Sequence, residues 1–401
     1  MCLVRGCLAL AAALWVAACA TAPEPVRRPL IMISMDGFRA DYLDRGVTPT
    51  LSRLAAGGVR AKGMRPSFPA LTYPNHYTLV TGLRPDHHGL VHNIIEDGPS
   101  GLKFTLGDRA QVRNPLWWDG GEPLWVTAGR AGRKTASLFW PGDETPIHGR
   151  QPDRWRTFDQ GMPAEKRVDL VLSWFAADRP DLTTLYFDDV DTAGHGDGPD
   201  SPRAEAAVAR VDAAVARLIE GLKAQGLDQG DYDLMIMADH GMVRADNLVF
   251  LDDAAKGTAR VVAGGGTALL APLPGREAAA REALVKRHAH MTCWEKGSIP
   301  ARHHYGINPR VPAIVCLGDT GWYLTTHAAA DGRKPSMGQH GFDPYAPQMA
   351  ALFIAHGPAF KPGAVIGDMD NVDVYPLAMH LLGVAPQPND GQWSHVAGAL
   401  R

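Results

Sequence analysis

Asp191 and His195 stand four residues apart around a glycine turn in Asp191-Thr192-Ala193-Gly194-His195, and Asp239 and His240 are adjacent just before Gly241-Met242. Another histidine, His340, lies in Gly338-Gln339-His340-Gly341-Phe342, which reads as a flexible loop, and Asp36 precedes Gly37 at the end of an apolar run. Carboxylates and imidazoles without cysteine suit zinc, and the same donors admit iron or manganese. Two such cations about 3.5–4 Å apart activate an attacking oxygen and hold a leaving one, which is what hydrolysis of an anionic phosphate ester requires. Each fragment alone is weak, because aspartate before glycine is common turn chemistry. Their joint occurrence points to a metal centre.

Such chemistry also needs an oxygen nucleophile. In Phe68-Pro69-Ala70-Leu71-Thr72-Tyr73-Pro74-Asn75-His76 the proline sits just after Thr72, where it suits the first turn of a helix. A helix N-terminus offers free backbone N–H groups and a partial positive charge to a phosphate. Thr72 would stand where a phosphoryl group binds, and coordination to a metal is one way to activate a poor alcohol nucleophile. On its own the same threonine also reads as an N-cap.

The elements that must hold these residues read as an alternation. Apolar runs at 29–35, 182–187, 232–237 and 349–354 suit strands buried on both faces. Between them, 205–223 carries apolar residues at helical spacing, and 50–56 and 375–382 are shorter helices, each followed by glycine. The pattern predicts an α/β fold: a doubly wound, mostly parallel central sheet with helices on both faces. Ligands of such sheets gather beyond the carboxyl ends of the strands, where Asp36, Asp191, Asp239 and His240 fall. The stretch at about 246–326 breaks the rhythm and reads as a smaller inserted cap, with a short helical piece at 276–288. Gly264-Gly265-Gly266 within it lacks the lysine of a phosphate loop and reads as a turn.

With 401 residues, 45% apolar and 21% charged, the chain has an ordinary globular profile. A formal charge of −3 and the lack of a long basic run argue against a nucleic-acid polymer as ligand. Residues 1–18 read as a signal peptide, with Arg5 before an apolar stretch too short to span a membrane. Val16-Ala17-Ala18-Cys19 resembles a bacterial lipobox, so Cys19 is the expected lipidation site and 19–28 a tether. Ala20, rather than aspartate, then favours the outer membrane, with the protein facing the periplasm. Cys293 and Cys316 remain in the mature chain and could pair in an oxidising compartment or stay as buried thiols.

The motifs together resemble the nucleotide pyrophosphatase/phosphodiesterase family of the alkaline phosphatase superfamily. The matching segments are Met35-Asp36-Gly37-Phe38-Arg39, Thr72-Tyr73-Pro74-Asn75-His76, Thr81-Gly82, His88-Gly89 and Asn93. They continue with 191–199, Asp239-His240-Gly241-Met242 and His340-Gly341-Phe342. They span nearly the whole of 29–401 in order, so that stretch is expected to be one alkaline phosphatase-like phosphodiesterase domain.

The resemblance implies two zinc ions, one held by Asp36, Thr72, Asp239 and His240 and the other by Asp191, His195 and His340. It makes Thr72 the nucleophile of a phosphothreonine intermediate and Asn93 a donor to a phosphate oxygen. Tyr186 and Tyr73 are its candidates for stacking the base of a nucleotide or dinucleotide substrate, which would release a nucleoside monophosphate. Tyr73 stands where phenylalanine is frequent, and Pro344 where asparagine is frequent. Both departures bear on substrate choice. Three alternatives stay open: a phosphomonoesterase, a choline-type lipid-headgroup diesterase, and an inactive anchored binding module. The sequence is silent on oligomeric state. His87, His303 and His304 read as structural or surface groups, and Trp117-Trp118 as packing.

Overall fold

A computed structural model describes residues 28–331, 337–367 and 369–401. The signal peptide and the Cys19 lipobox read from the sequence lie outside these residues.

The run Leu30–Met35 forms a strand in which every residue is buried. It lies between Leu182–Phe187 and Asp233–Met237 and pairs in parallel with both. Thr135–Leu138 adds in parallel beyond Leu182–Phe187. On the other side come Phe353–His356, Val59–Ala61 and Ala364–Ile366, which completes a seven-stranded sheet. Phe353–His356 is antiparallel to both neighbours, so the other six strands run one way.

The run read as a strand at 349–354 is therefore a strand at Phe353–His356 that runs against the rest. The strand begins at Phe353, which pairs with Met237, so its N-terminal end faces the site. There the carbonyls of Leu352 and Met349 accept the N–H groups of Ala238 and Gly241. An apolar run reports burial but carries no direction.

Helices cover both faces of the sheet. The longest, Pro202–Ala224, has Ser201 as N-cap accepting the Ala204 N–H, and Pro202 at its first turn. Val208, Val211, Val215, Leu218 and Leu222 form its buried stripe, each such side chain contributing about 1.5–3 kcal/mol. Asp212 on the same helix is buried, and its carboxylate accepts the N–H groups of Thr50 and Leu51 at 3.2 and 2.8 Å. It thereby supplies from another helix the N-terminal cap that Pro49–Gly57 lacks. Trp117 and Trp118 are fully buried in the core.

Residues 247–325 build a second, smaller sheet. Ala259–Ala263, Thr267–Pro272, Ile314–Gly318 and Met291–Glu295 are antiparallel neighbours in that order. Strand alternation splits its side chains between two faces. Leu270, Ile314 and Met291 close a small core with Leu251 and Leu284, whereas Leu269, Val315 and Leu317 join the main core. Cys293 and Cys316 sit directly opposite each other and form a disulfide. Among the described residues no helix is long and apolar enough to cross a membrane.

Candidate metal centre and active site

Three neighbouring strand ends deliver the acidic residues. The Asp36 N–H donates to the Phe187 carbonyl at 2.9 Å, which keeps the first two ends level. Gly37 follows at φ +68° and donates its N–H to Asp239 Oδ1 at 3.2 Å. A Cβ on Gly37 would lie 3.1 Å from Asp191, so both the left-handed turn and the close approach require glycine. Asp239 and His240 come just beyond Met237.

Asp191 and His195 were read as flanking a glycine turn. The structure instead places them on a helix, Asp189–Asp197, that starts as soon as the 182–187 strand ends. Acidic Asp189 and Asp191 in its first turn and His195 in its last suit the helix dipole. The four-residue spacing puts Asp191 and His195 on one face, one turn apart. His340 was read as part of a flexible loop, but it is buried and held by a hydrogen bond to the Ala70 carbonyl.

The three histidines share one arrangement. His240 Nδ1 donates to Gly241 O at 2.9 Å, His195 Nδ1 to Gly338 O at 2.8 Å, and His340 Nδ1 to Ala70 O at 3.0 Å. A carbonyl can only accept, so the proton sits on Nδ1 and each Nε2 keeps its lone pair for a metal. His240 Nε2 lies 3.0 Å from Asp239 Oδ2 and 3.5 Å from Asp36 Oδ1. Asp191 lies 3.4 Å from His195 Nε2 and 3.8 Å from His340 Nε2. Donors sharing a tetrahedral zinc with bonds of about 2.0–2.1 Å sit roughly 3.3 Å apart, so these separations fit shared cations.

His76 also lies beside Asp36 and Asp239. Its Nδ1 is within reach of the Thr72 carbonyl at 2.9 Å and its Nε2 pairs with the Ser34 hydroxyl at 2.8 Å. Both ring nitrogens are engaged, so His76 orients its neighbours and is not a ligand.

The electrostatics require a cation. Asp36 Oδ1, Asp191 Oδ1 and Asp239 Oδ2 are buried without a hydrogen-bond partner. Burial pushes the Asp36 carboxyl well above the usual range, and Asp239 and Asp191 push it further. Burial raises Asp191 as well, against the pull of His195 and His240. Asp239 goes the other way: burial opposes its charge, but His240 and His76 together hold it well below the usual range. Burial, reinforced by His240 and His195, drives His340 well below the ordinary imidazole value, leaving it neutral for ligation. Buried carboxylate oxygens without partners are costly unless an ion satisfies them. The donor set therefore fits divalent metals.

Thr72 is the first residue of the helix Thr72–Thr81, and the cap position belongs to Leu71, with no side-chain capping bond. The threonine hydroxyl is left facing the centre, 3.3 Å from His240 Nε2. Asn93 Oδ1 accepts the Tyr73 N–H at 3.0 Å, so its amide N–H groups are the ones free to donate. Beside Thr72 opens a cleft of about 360 Å³, whose walls include Tyr73, Arg109, Phe139, Glu144 and Phe158. Of these only Tyr73 was legible in the sequence. The others come from a one-turn helix at Arg109–Val112 and the irregular stretch 139–160, both too short or too uneven to carry a periodic signal. His87, His303 and His304 form no part of the clustered ligand groups.

Tyr186 has a second attachment besides the cleft in which it was expected to stack a base. It is 7% exposed, and its hydroxyl donates to Asp36 Oδ2 at 2.6 Å. Its ring meets His76 edge-on and also lines the cleft beside Thr72. Tyr186 therefore holds a metal-side carboxylate in place. Changing it to phenylalanine should lower kcat by roughly tenfold with KM nearly unchanged, as expected for losing one hydrogen bond to a charged group. Steady-state kinetics check this, and a change confined to KM would assign Tyr186 to substrate stacking instead.

The sequence profile of the "Type I phosphodiesterase / nucleotide pyrophosphatase" family matches residues 30–343. The chain belongs to this family. It is 36% identical over 392 residues to an uncharacterized pyrophosphatase/phosphodiesterase of Schizosaccharomyces pombe, covering 92% of this chain and 79% of that one. The human ectonucleotide pyrophosphatase/phosphodiesterase family member 5 is 33% identical, with 94% and 79% covered. A structure of murine ectonucleotide pyrophosphatase/phosphodiesterase 5, an inactive threonine-to-alanine variant in complex with AMP, matches with a TM-score of 0.88. It is 32% identical and covers 93% of this chain and 100% of that one. The chain is thus a metal-dependent phosphoric diester hydrolase with an alkaline phosphatase-like fold.

Proposed function

We propose that this enzyme cleaves nucleotide phosphodiester or pyrophosphate bonds at two zinc ions through a phosphothreonine on Thr72, releasing a nucleoside monophosphate. The carrying observation is that Asp191–His195–His340 and a second set, in which His240 stands within 3.5 Å of Asp36 and 3.0 Å of Asp239, meet in one centre beside the Thr72 hydroxyl. When bound, the ions would acidify the attacking hydroxyl or water and offset charge on the attacking and leaving oxygens.

The chain's own residues supply the rest. Thr72 Oγ1 forms the new bond to phosphorus as the ester bond to the leaving group breaks, and water then hydrolyses the phosphothreonine. The N-terminus of the Thr72–Thr81 helix and the Asn93 amide stabilise the non-bridging oxygens. Tyr73 and Phe158 in the cleft offer apolar ring surface to a nucleoside. The AMP complex of the murine relative supports that class of ligand.

Charge in the cleft favours a diester over a monoester. The arginine at the cleft is Arg109, already paired with the buried carboxylate of Glu144. In the 247–325 stretch, Arg260, Arg281, Arg287, Arg302 and Arg310 are each paired with a carboxylate. None of them lines the cleft, so none is placed to neutralise the extra charge of a monoester. The deciding assay compares a nitrophenyl nucleoside-monophosphate diester with nitrophenyl phosphate, using metal-loaded protein. A kcat/KM at least about tenfold higher for the diester is expected, and a preference for nitrophenyl phosphate would overturn the reading.

The protein is further proposed to be exported and lipid-anchored through Cys19. The lipobox supports this, as does a disulfide at Cys293–Cys316, which suits an oxidising compartment. Replacing Cys19 with serine should move the protein from the membrane fraction to the soluble one. A wild-type protein already wholly soluble after cell fractionation would remove the anchor.

A further inference from the structure

The Gly264-Gly265-Gly266 segment has more to do than turn. A Cβ on Gly266 would lie 2.6 Å from the carbonyl carbon of Gly341 and 2.7 Å from the carbonyl oxygen of His340, so only glycine lets the two segments touch. Its carbonyl accepts the Gly318 N–H at 2.8 Å, which fixes the segment to the small sheet. The next residue, Thr267, is fully buried and has two polar partners from outside its own sheet. Its hydroxyl donates to the Gly341 carbonyl at 2.7 Å, one residue beyond His340. Its carbonyl accepts from His92 Nε2 at 3.3 Å, one residue before Asn93.

The tautomer of His92 makes that second contact directional. His92 Nδ1 accepts the Ile94 N–H at 3.1 Å, so the ring proton sits on Nε2 and points at the Thr267 carbonyl. Burial keeps the ring neutral, with its pKa pushed down to about 4.

We infer that Thr267 is a positioning residue, a single buried tie that sets the His340 loop and the Asn93 loop relative to each other. Through it the small sheet braces the catalytic centre from behind. One strand residue fixes both an imidazole assigned to metal and the amide assigned to phosphate. A shift of the hydroxyl contact moves His340, and a shift of the carbonyl contact moves Asn93. The inference rests on the proposed roles of His340 and Asn93.

The test uses full-length, metal-loaded protein and three variants. Thr267→Val keeps the branched shape and loses the hydroxyl, Thr267→Ala loses it without crowding the Gly341 carbonyl, and Thr267→Ser retains it. Two readouts are compared: the rate at which bound metal passes to a coloured chelator, and kcat against KM on the nitrophenyl diester. Val and Ala should release metal about tenfold faster and lower kcat by a similar factor, in the range seen when groups behind metal ligands are removed. KM should change little, and Ser should restore both rates. If Val or Ala folds and releases metal at the wild-type rate, the inference fails, even if its melting temperature drops, because that is a purely structural role. Faster release that serine does not restore would also overturn it. A wild-type protein that retains no metal would instead sink the two-zinc reading.

Discussion

Replacing Thr72 with alanine is expected to reduce diester hydrolysis by about 10³-fold or more while leaving the fold and the bound metal in place. The magnitude follows from what the hydroxyl does. In the proposed mechanism it is the atom that bonds to phosphorus, so its loss removes the covalent route and leaves only slow attack by water. Retention of metal follows from the other donors, because Asp36, Asp239 and His240 remain after the hydroxyl is gone. The fold should survive because Leu71 occupies the cap position and Thr72 makes no capping bond, so the helix loses little. The check is kcat together with metal content and melting temperature on the same preparation. A well-folded variant that kept half its turnover would remove Thr72 as nucleophile. The inactive threonine-to-alanine variant of the murine relative sets a precedent in that protein.

The parts of this centre legible in the sequence were those whose chemistry is local. Asp36, Asp239 and His240 follow apolar runs directly, so strand periodicity alone placed them at the carboxyl edge of the sheet. Asp191 and His195 showed their spacing but not their conformation. Gly194 between them suggested a turn, whereas dipole-matched charges and tertiary packing made a helix. The orientation of the strand at Phe353–His356 was hidden because an apolar run has no sense of direction.

Contacts between residues far apart in the chain were hidden for a different reason. Tyr186 reaches Asp36 across 150 positions, and Thr267 reaches Gly341 across 74. Nothing in the local pattern of either residue distinguishes such a contact from ordinary packing. The cleft walls at Glu144 and Phe158 lie on loops, and Arg109 opens a one-turn helix, so their placement depends on what they pack against.

Stripping the metal should abolish hydrolysis and also lower thermal stability, and the second effect separates a structural centre from a merely accessible one. Without cations, the Asp36, Asp191 and Asp239 carboxylates are crowded together with one oxygen of each unpartnered. Like charges confined in a buried site oppose folding, and an ion that binds only the native state stabilises it by roughly 4 kcal/mol when present at about 1,000 times its Kd. Chelation should therefore lower the melting temperature by several degrees for each site emptied, on the order of 10 °C in all. Restoring zinc should recover both activity and stability, with two equivalents bound per chain. Asp191→Ala removes a ligand from the His195–His340 cluster and should bind close to one equivalent, whereas Tyr186→Phe should still bind two. Metal analysis alongside calorimetry reads all of these values. Stripped protein, verified free of metal, that melted at the loaded temperature would show that the buried carboxylates are satisfied in another way, and the two-cluster assignment would fall with it.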